Sequence, residues 1–529
     1  MKPGDKHRVI AEVTRRVLDK HASSPQVLEQ ALFETLYLER QRLEKQRHTK
    51  RRRQERARYE RIQSEALRAP AERQRELLGT VIRAFCEEVS GHFDPRVYKL
   101  ATRVIPGALN LLLNALSPLR LLQELPGGMS RLDEQLVLEG ECDALRKAAS
   151  LGTTVLVPTH SSNLDSILVG FGLYRLGLPP YVYGAGLNLF SNKLIGFFMH
   201  NLGAYKVDRR KQASVYKDVL KTYAGHTMEL GYHNLFFPGG TRSRSGSVEQ
   251  KLKLGLLGQS LDAYIHNLRR KAEQPDIFVV PCTINYQLVL EAETLIDDHL
   301  KEVGKSRYII EDDEFSKPKR ILDFVQRIFS LDSRIHLVVS QPLDVFGNRV
   351  DEQGCSRDAR GRPVDRTRYV QVDGEPAFDA QRDQEYTREL ARSVAEAYLR
   401  DTVLSPIHLV AHTVFEWLRD RNPTLDLYRL LRTGGEFESM PLIEAYDRLE
   451  RTLEALQRRA GRGELRLDER LKTRDSVAVM SHALQHLSSY HRRPALVRRG
   501  DRLLHIDRNL LLYYQARIGE LSPRLGGAS

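Results

Sequence analysis

The sequence predicts an α/β fold: a central, mostly parallel sheet flanked by helices, with helical regions before and after it. Three observations carry that reading. Short β-branched or aromatic runs recur through the middle of the chain, at Thr153–Pro158, Tyr181–Tyr183, Ala204–Val207, Asn234–Phe237, Ile277–Cys282 and His336–Val339. Helix-length stretches alternate with them near Ser166–Leu176, Lys193–Asn201, Ala213–Leu230 and Leu252–Arg270. The flanking regions are long and charged, with few glycines before residue 80.

Taken in order, residues 1–130 are expected to form a helical N-terminal region with a basic segment. Within it, Val104–Leu122 is broken by Pro106, Asn110, Asn114, Pro118 and Arg120. That segment fits either a core helix or an interfacial amphipathic one, and the helical region closes at Pro126-Gly-Gly128. Residues 131–346 form the α/β domain. Residues 347–383, rich in Gly, Asp, Arg and Pro, read as a polar surface insertion. Residues 384–529 return to helix, with a linker-like Gly461-Arg-Gly463.

At 529 residues the chain is long enough for about three domains. A hydrophobic share of 41% with 29% charged residues is a globular composition. The net charge of +13 calls for an anionic partner: a phosphorylated substrate, an anionic lipid surface or a nucleic acid. Between Arg40 and Arg61 there are eleven Lys or Arg against three acidic residues. This run reads as a solvated helix face or as a surface for anionic lipid. Tyr59 is its only aromatic residue, which offers little for stacking bases, so nucleic acid is the weaker alternative.

Cys86, Cys142, Cys282 and Cys355 show neither CxxC nor Cys/His ligand spacing, so no disulfide framework or metal site is expected. The N-terminus opens no apolar signal-peptide core, and no stretch has the clean apolar length of a spanning helix.

Chemistry concentrates at strand ends. His160-Ser-Ser-Asn-Leu-Asp165 directly follows the run ending at Pro158-Thr159. Five residues of continuous helix turn about 500°, which would point the two side chains apart. They meet only if His160 lies in the turn and Asp165 in the first turn of the next helix. Asp165 would then hold one ring nitrogen while the other accepts a proton from a hydroxyl. The same residues also read as a plain helix start, with Ser162 at the N-cap.

Three more stretches stand at strand ends: Gly203-Ala-Tyr-Lys-Val-Asp-Arg-Arg210, Phe236-Phe-Pro-Gly-Gly-Thr-Arg-Ser-Arg-Ser-Gly246 and Val279-Val-Pro-Cys-Thr-Ile284. Ligands of parallel α/β sheets bind beyond the carboxyl ends of the strands, so these loops are expected to converge. Arginines there suit phosphate. The chain has no GxSxG nucleophile elbow, which argues against a serine hydrolase.

Together and in this order, the four stretches resemble the four blocks of the glycerolipid acyltransferase family, the first being its His-x4-Asp block. Leu136-Val-Leu-Glu-Gly140, Gly186-Leu-Asn188, Val403-Leu-Ser-Pro406 and Leu511-Leu-Tyr-Tyr-Gln515 are similar to glycerol-3-phosphate acyltransferases in particular. One departure stands out. The family's third block normally has Glu where this chain has Gly239, and Glu249 is the candidate replacement.

The resemblance implies acyl transfer from acyl-CoA or acyl carrier protein to glycerol 3-phosphate, giving lysophosphatidate for phospholipid biosynthesis. His160 would be the general base and Asp165 its orienting carboxylate. Arg209, Arg242 and Arg244, with Gly240 and Ser243, would bind the acceptor phosphate. Pro281 would lie at the acyl-donor pocket, and a backbone N–H near Pro238–Gly240 would hold the thioester oxyanion. The thioester is a co-substrate, and neither cofactor nor metal is implied. The implied setting is the cytoplasmic side of the inner membrane, held peripherally or monotopically. The competing expectations are an impaired relative acting as a membrane-surface scaffold, motivated by Gly239, and nucleic-acid binding through the basic helix.

Overall fold

The computed structural model describes residues 4–45, 50–100, 136–187, 193–303, 334–435 and 438–519. The amphipathic segment Val104–Leu122, the turn at Pro126–Gly128 and Asn188 lie outside these residues. No helix among the described residues is long and apolar enough to cross a membrane.

Four helices open the chain: α1 (Asp5–His21), α2 (Pro25–Glu44), α3 (Lys50–Ala66) and α4 (Ala71–Val89). α2 starts where Ser24 caps the Val27 N–H and Pro25, having no N–H to lose, takes the first helical position. α1 buries Val9, Val13 and Val17 at helical spacing. That stripe joins Leu78, Val81, Ile82 and Phe85 of α4 and Val215, Tyr216, Val219 and Tyr223 farther along the chain in one apolar cluster.

The α/β domain follows as β1 (Leu136–Gly140), α5 (Cys142–Leu151), β2 (Thr153–Pro158), α6 (Asp165–Arg175), β3 (Val182–Gly186), α7 (Lys193–Asn201), β4 (Ala204–Val207), α8 (Ser214–Glu229), β5 (Asn234–Leu235), α9 (Leu254–Arg269), β6 (Ile277–Tyr286), α10 (Ala292–Val303) and β7 (Ile335–Val339). The sheet order is β1-β7-β6-β2-β5-β3-β4. Neighbours run parallel except β6 against β7. Every residue of β2 and β6 is buried, as expected for strands covered on both faces. β6 pairs with β2 from Thr153↔Ile277 to Pro158↔Cys282 and continues four residues beyond, to Tyr286. The predicted strand at 277–282 is therefore too short, and the stretch Leu136–Gly140, similar to glycerol-3-phosphate acyltransferases, forms β1. β2, β3, β4, β5 and β6 share one direction, so their carboxyl ends lie along one edge of the sheet.

Residues 349–376 form short antiparallel strands, pairing Arg349–Val350 with Ser356–Arg357, Ser356–Arg357 with Pro363–Val364, and Gln371–Val372 with Glu375–Pro376. The polar insertion is thus a set of tight hairpins anchored by buried Val350 and Val370.

Helices then dominate again. The helix Pro406–Arg421 is buried along most of its length, including Phe415, Trp417 and Leu418. Its core is continuous with that of the sheet: one apolar cluster runs from Leu156, Ile284 and Leu337 through Val410 and Val414 to Leu510, Leu511 and Tyr514. The last helix, Arg508–Gly519, packs along Pro406–Arg421.

Candidate active site

β2 ends at Pro158, and the chain turns through 159–164 before α6 begins at Asp165. The turn puts His160 Nδ1 2.7 Å from Asp165 Oδ2. The same oxygen accepts the backbone N–H groups of Ser161 at 2.7 Å and Ser162 at 2.9 Å. Oδ1 accepts the hydroxyl of Tyr286 at 2.6 Å. Asp165 is fully buried at the first position of a helix, where the helix dipole favours a carboxylate. With four donors converging on it, Asp165 is the acceptor and His160 Nδ1 carries the proton. Nε2 is thereby left as the proton acceptor of the ring. Phe237 stacks on the imidazole with ring centroids 4.2 Å apart and planes 25° apart, fixing the second face. The helix-start reading of this block holds only in part: Asp165 does reach back to the Ser162 N–H, but the helix begins at Asp165 and its N-cap is Leu164 rather than Ser162.

β6 supports the turn from the other side. The Thr159 N–H donates to Cys282 O at 2.9 Å, and Thr159 Oγ1 accepts the Ile284 N–H at 2.9 Å. Burial, with Asp165 next to it, holds the Tyr286 hydroxyl well above its ordinary pKa, so it stays a donor.

The third block leaves β5 and folds back over the first. Ser243 N–H donates to His160 O at 2.7 Å. Glu291, completely buried just past β6, ties the two blocks together. It accepts from Ser162 Oγ at 2.9 Å, from the Asn163 N–H at 3.0 Å and from Arg242 Nη1 at 3.2 Å. Arg244 pairs with Glu302 at 2.5 Å on the surface. Arg209, past the end of β4, is solvent-accessible at the rim. Partial desolvation, then Arg242 and Arg244, push its guanidinium below the ordinary value. Such mutual repulsion is relieved by a dianion seated among the three.

The last helix reaches the same place. Arg517, buried, donates to Ser161 Oγ at 3.1 Å and to Gly246 O at 3.0 Å, so it bridges the first and third blocks. Gly246 has φ +80°, and the Tyr513 carbonyl occupies the space a Cβ would need.

The expected residues thus fall into distinct positions. His160 and Asp165 are in contact, and Arg209 feels the charges of Arg242 and Arg244, which themselves pair with Glu291 and Glu302. Gly240 adopts φ +75°, a left-handed turn position suited to glycine, and its N–H donates to Phe237 O at 3.0 Å. That N–H is therefore already engaged and is not the oxyanion donor. The Ser243 hydroxyl donates within the turn, to Ser247 O at 2.8 Å. Pro281 sits inside β6 opposite Val157, buried in the sheet. The arginine pair splits: Arg210 folds onto Asp208, with Nε 2.8 Å from Oδ1.

Glu249 lies where the third block departs from its expected pattern. A Cβ built on Gly239 would meet Glu249 Oε1 at 2.8 Å and its Cδ at 2.5 Å. Tyr286, Glu291 and Arg517 carried no signal in the sequence, each being distant along the chain from the block it serves. An open cavity of about 340 Å³ lies beside the third block, between Ser245 and Ser247 on one side and Arg419, Leu512 and Gln515 on the other.

The acyltransferase family model matches residues 141–285, from α5 to the end of β6. The chain is 32% identical over 163 residues to a glycerol-3-phosphate acyltransferase of Xanthomonas axonopodis pv. citri, covering 31% of this chain and 18% of that protein. It is 27% identical over 296 residues to a glycerol-3-phosphate acyltransferase of Pseudomonas fluorescens, 55% of this chain and 32% of that protein. A dihydroxyacetone phosphate acyltransferase of Oryctolagus cuniculus is 33% identical over 165 residues, 31% of this chain and 23% of that protein. Less than a third of each relative's own length is therefore matched. The matched stretch encloses the imidazole–carboxylate pair and the turns that carry the arginines, and it is in this stretch that the chain resembles the acyltransferase family, with similarity to glycerol-3-phosphate acyltransferases.

Proposed function

We propose that the protein transfers a fatty acyl group from a thioester, acyl-CoA or acyl carrier protein, to the free hydroxyl of glycerol 3-phosphate, giving lysophosphatidate. The observation that carries this reading is the pair itself: His160 held by Asp165 at 2.7 Å, with its second ring nitrogen left as acceptor. Nε2 takes the proton of the acceptor hydroxyl as its oxygen attacks the thioester carbonyl. The tetrahedral intermediate then expels the thiolate, which recovers the proton from the imidazolium. No acyl-enzyme forms, and Asp165 stabilises the transient positive ring. Arg209, Arg242 and Arg244 grip the phosphate and so orient the hydroxyl at His160.

Relatives named for glycerol 3-phosphate and for dihydroxyacetone phosphate both favour a small phosphorylated acceptor. An anionic membrane surface is the fitting platform, because α3 exposes Arg53, Arg58 and Arg61 and the product is a lipid. Purified protein should release labelled lysophosphatidate from labelled acyl-CoA and glycerol 3-phosphate. The same donor should be run against dihydroxyacetone phosphate and a lysophospholipid. Equal turnover of the lysophospholipid, or none of any acceptor, would defeat the assignment.

A further inference from the structure

Acyl transfer as proposed leaves one carboxyl beside the catalytic pair without a task. Glu249 follows the third block and is only half-buried as a residue, but its carboxyl is enclosed. Oε1 accepts the backbone N–H of His160 at 3.0 Å. Oε2 meets no hydrogen-bond partner in good geometry among the described residues. The same carboxyl occupies the space over Gly239: the three atoms nearest a Cβ built there all belong to Glu249. Gly239 does not have a left-handed φ, so its backbone would accept a side chain. What excludes one is the Glu249 carboxyl alone among those nearest atoms.

We propose that Glu249 is a positioning residue for acyl transfer, its carboxyl filling the space above Gly239 and fastening the turn that carries His160 to the turn of the third block. The inference rests on the function proposed above. A residue at 239 would hold the same turn from directly below, and Glu249 reaches the spot from ten positions later in the chain. Burial raises its carboxyl to about 8, with the His160 N–H opposing, Asp165 adding to the rise, and Arg517 and the Gly239 N–H opposing it. The other titratable groups facing this spot are Tyr398 of the helix Ala380–Asp401 and Lys253, whose ammonium lies over Gly240. At neutral pH Glu249 is therefore mostly the neutral acid, whose carbonyl oxygen keeps the His160 N–H. Ionisation above about pH 8 would set a second buried negative charge beside Asp165 and loosen the turn.

Five variants test this. Glu249→Gln keeps an acceptor for the His160 N–H and cannot ionise. It should retain kcat within about threefold at pH 7 and lose the alkaline decline that the wild type shows above about pH 8. Glu249→Ala should lower kcat about 10- to 100-fold while KM for glycerol 3-phosphate changes little, as expected when a reacting group is misplaced rather than a ligand lost. Gly239→Glu alone should be impaired by the clash. Gly239→Glu combined with Glu249→Gly should regain most of what Glu249→Gly loses.

A readout independent of turnover separates failure of this inference from failure of the proposed reaction. The native state holds a proton that the unfolded chain releases near 4.5, so stability relative to Glu249→Gln must fall as pH rises from 4.5 to 8. The gap in thermal midpoint should shift by about 2–4 °C or more over that range. A gap that stays flat, or a Glu249→Ala variant with wild-type kcat, overturns the inference even if the enzyme is active.

Discussion

Helices flank the sheet at both ends of the chain, yet the two sets meet it differently. The N-terminal helices dock on α8 and the segment after β4. Arg16 grips Glu229 through two bonds at 2.6 and 2.8 Å, His21 meets Asp218 at 2.8 Å, and Lys211 meets Glu88 at 2.8 Å. None of these residues lies in the first or third block. The C-terminal helices, by contrast, share their core with the sheet and send Arg517 between the turns of the first and third blocks. They also hold β6 and β7 directly, through Asp468 on His336 at 3.3 Å and the Thr283 hydroxyl on Asp401 O at 2.8 Å. Position in the sequence says nothing of this. A C-terminal helix some 350 residues from His160 is part of its support, and the helices nearer in sequence to the start are not.

The sharpest way to anchor the comparison is the centre itself. His160→Ala should cost about 10²–10⁴-fold in kcat with an unchanged circular dichroism spectrum. An active variant would remove the base. Next comes the C-terminal contact. Arg517→Met should lower kcat about 10- to 100-fold by releasing both turns. It should also cost about 1.5–3 kcal/mol in urea unfolding, the usual range for hydrogen bonds from a charged donor. Arg242→Ala should raise KM for glycerol 3-phosphate about tenfold or more and leave kcat closer to wild type.

The N-terminal counterpart, Arg16→Met, leaves the buried Glu229 carboxylate with His226 but without its two guanidinium bonds. It should cost about 1–3 kcal/mol of stability with kcat unchanged. A large loss of kcat there would erase the distinction between the two flanks.

pH should separate them as well. Hydrogen bonds from His226 and Arg16 outweigh burial and hold Glu229 at about 2, and Asp218, bonded to His21 and Lys20 against the cost of burial, is also held at about 2. Both carboxylates have folded values below their unfolded ones. Their contribution is complete above about pH 4.5 and is lost as pH falls toward 2. His336 goes the other way: burial opposes its charge, but Asp468 and Glu139 outweigh burial and raise it above 6.5. Its contribution is complete below 6.5 and is lost as pH rises through the raised value. Hydrogen-exchange protection, corrected for intrinsic rates, should therefore weaken in α1 on acidification. On the alkaline side it should weaken first at β7 and Glu469–Thr473.

Much of the architecture was legible because periodicity is local. α7 and β4 match their predicted bounds, and α6, α8 and α9 lie within two residues of theirs. β6 ran longer than expected because its last residues, Ile284 to Tyr286, are mixed in polarity and buried only by packing from elsewhere. The insertion at 347–383 looked irregular because its strands are two residues long, too short to leave a pattern.

For the site, the order of blocks pointed to His160, Asp165 and the arginines. It could not tell that Arg210 folds onto Asp208 while Arg209 faces the cluster. Nor could it reveal that the Gly240 N–H closes the turn on itself.

The sequence by itself determined which strands and helices form and which residue types arrive at the carboxyl edge of the sheet, since both follow from spacing along a few residues. Only the tertiary structure decided who supports them. Tyr286 and Glu291, Glu249, and Arg517 come from three separate places in the chain, and each acts through a hydrogen bond of 2.6 to 3.2 Å. Contacts that short depend on how the layers pack, and packing is a property of the whole fold rather than of any one stretch of it.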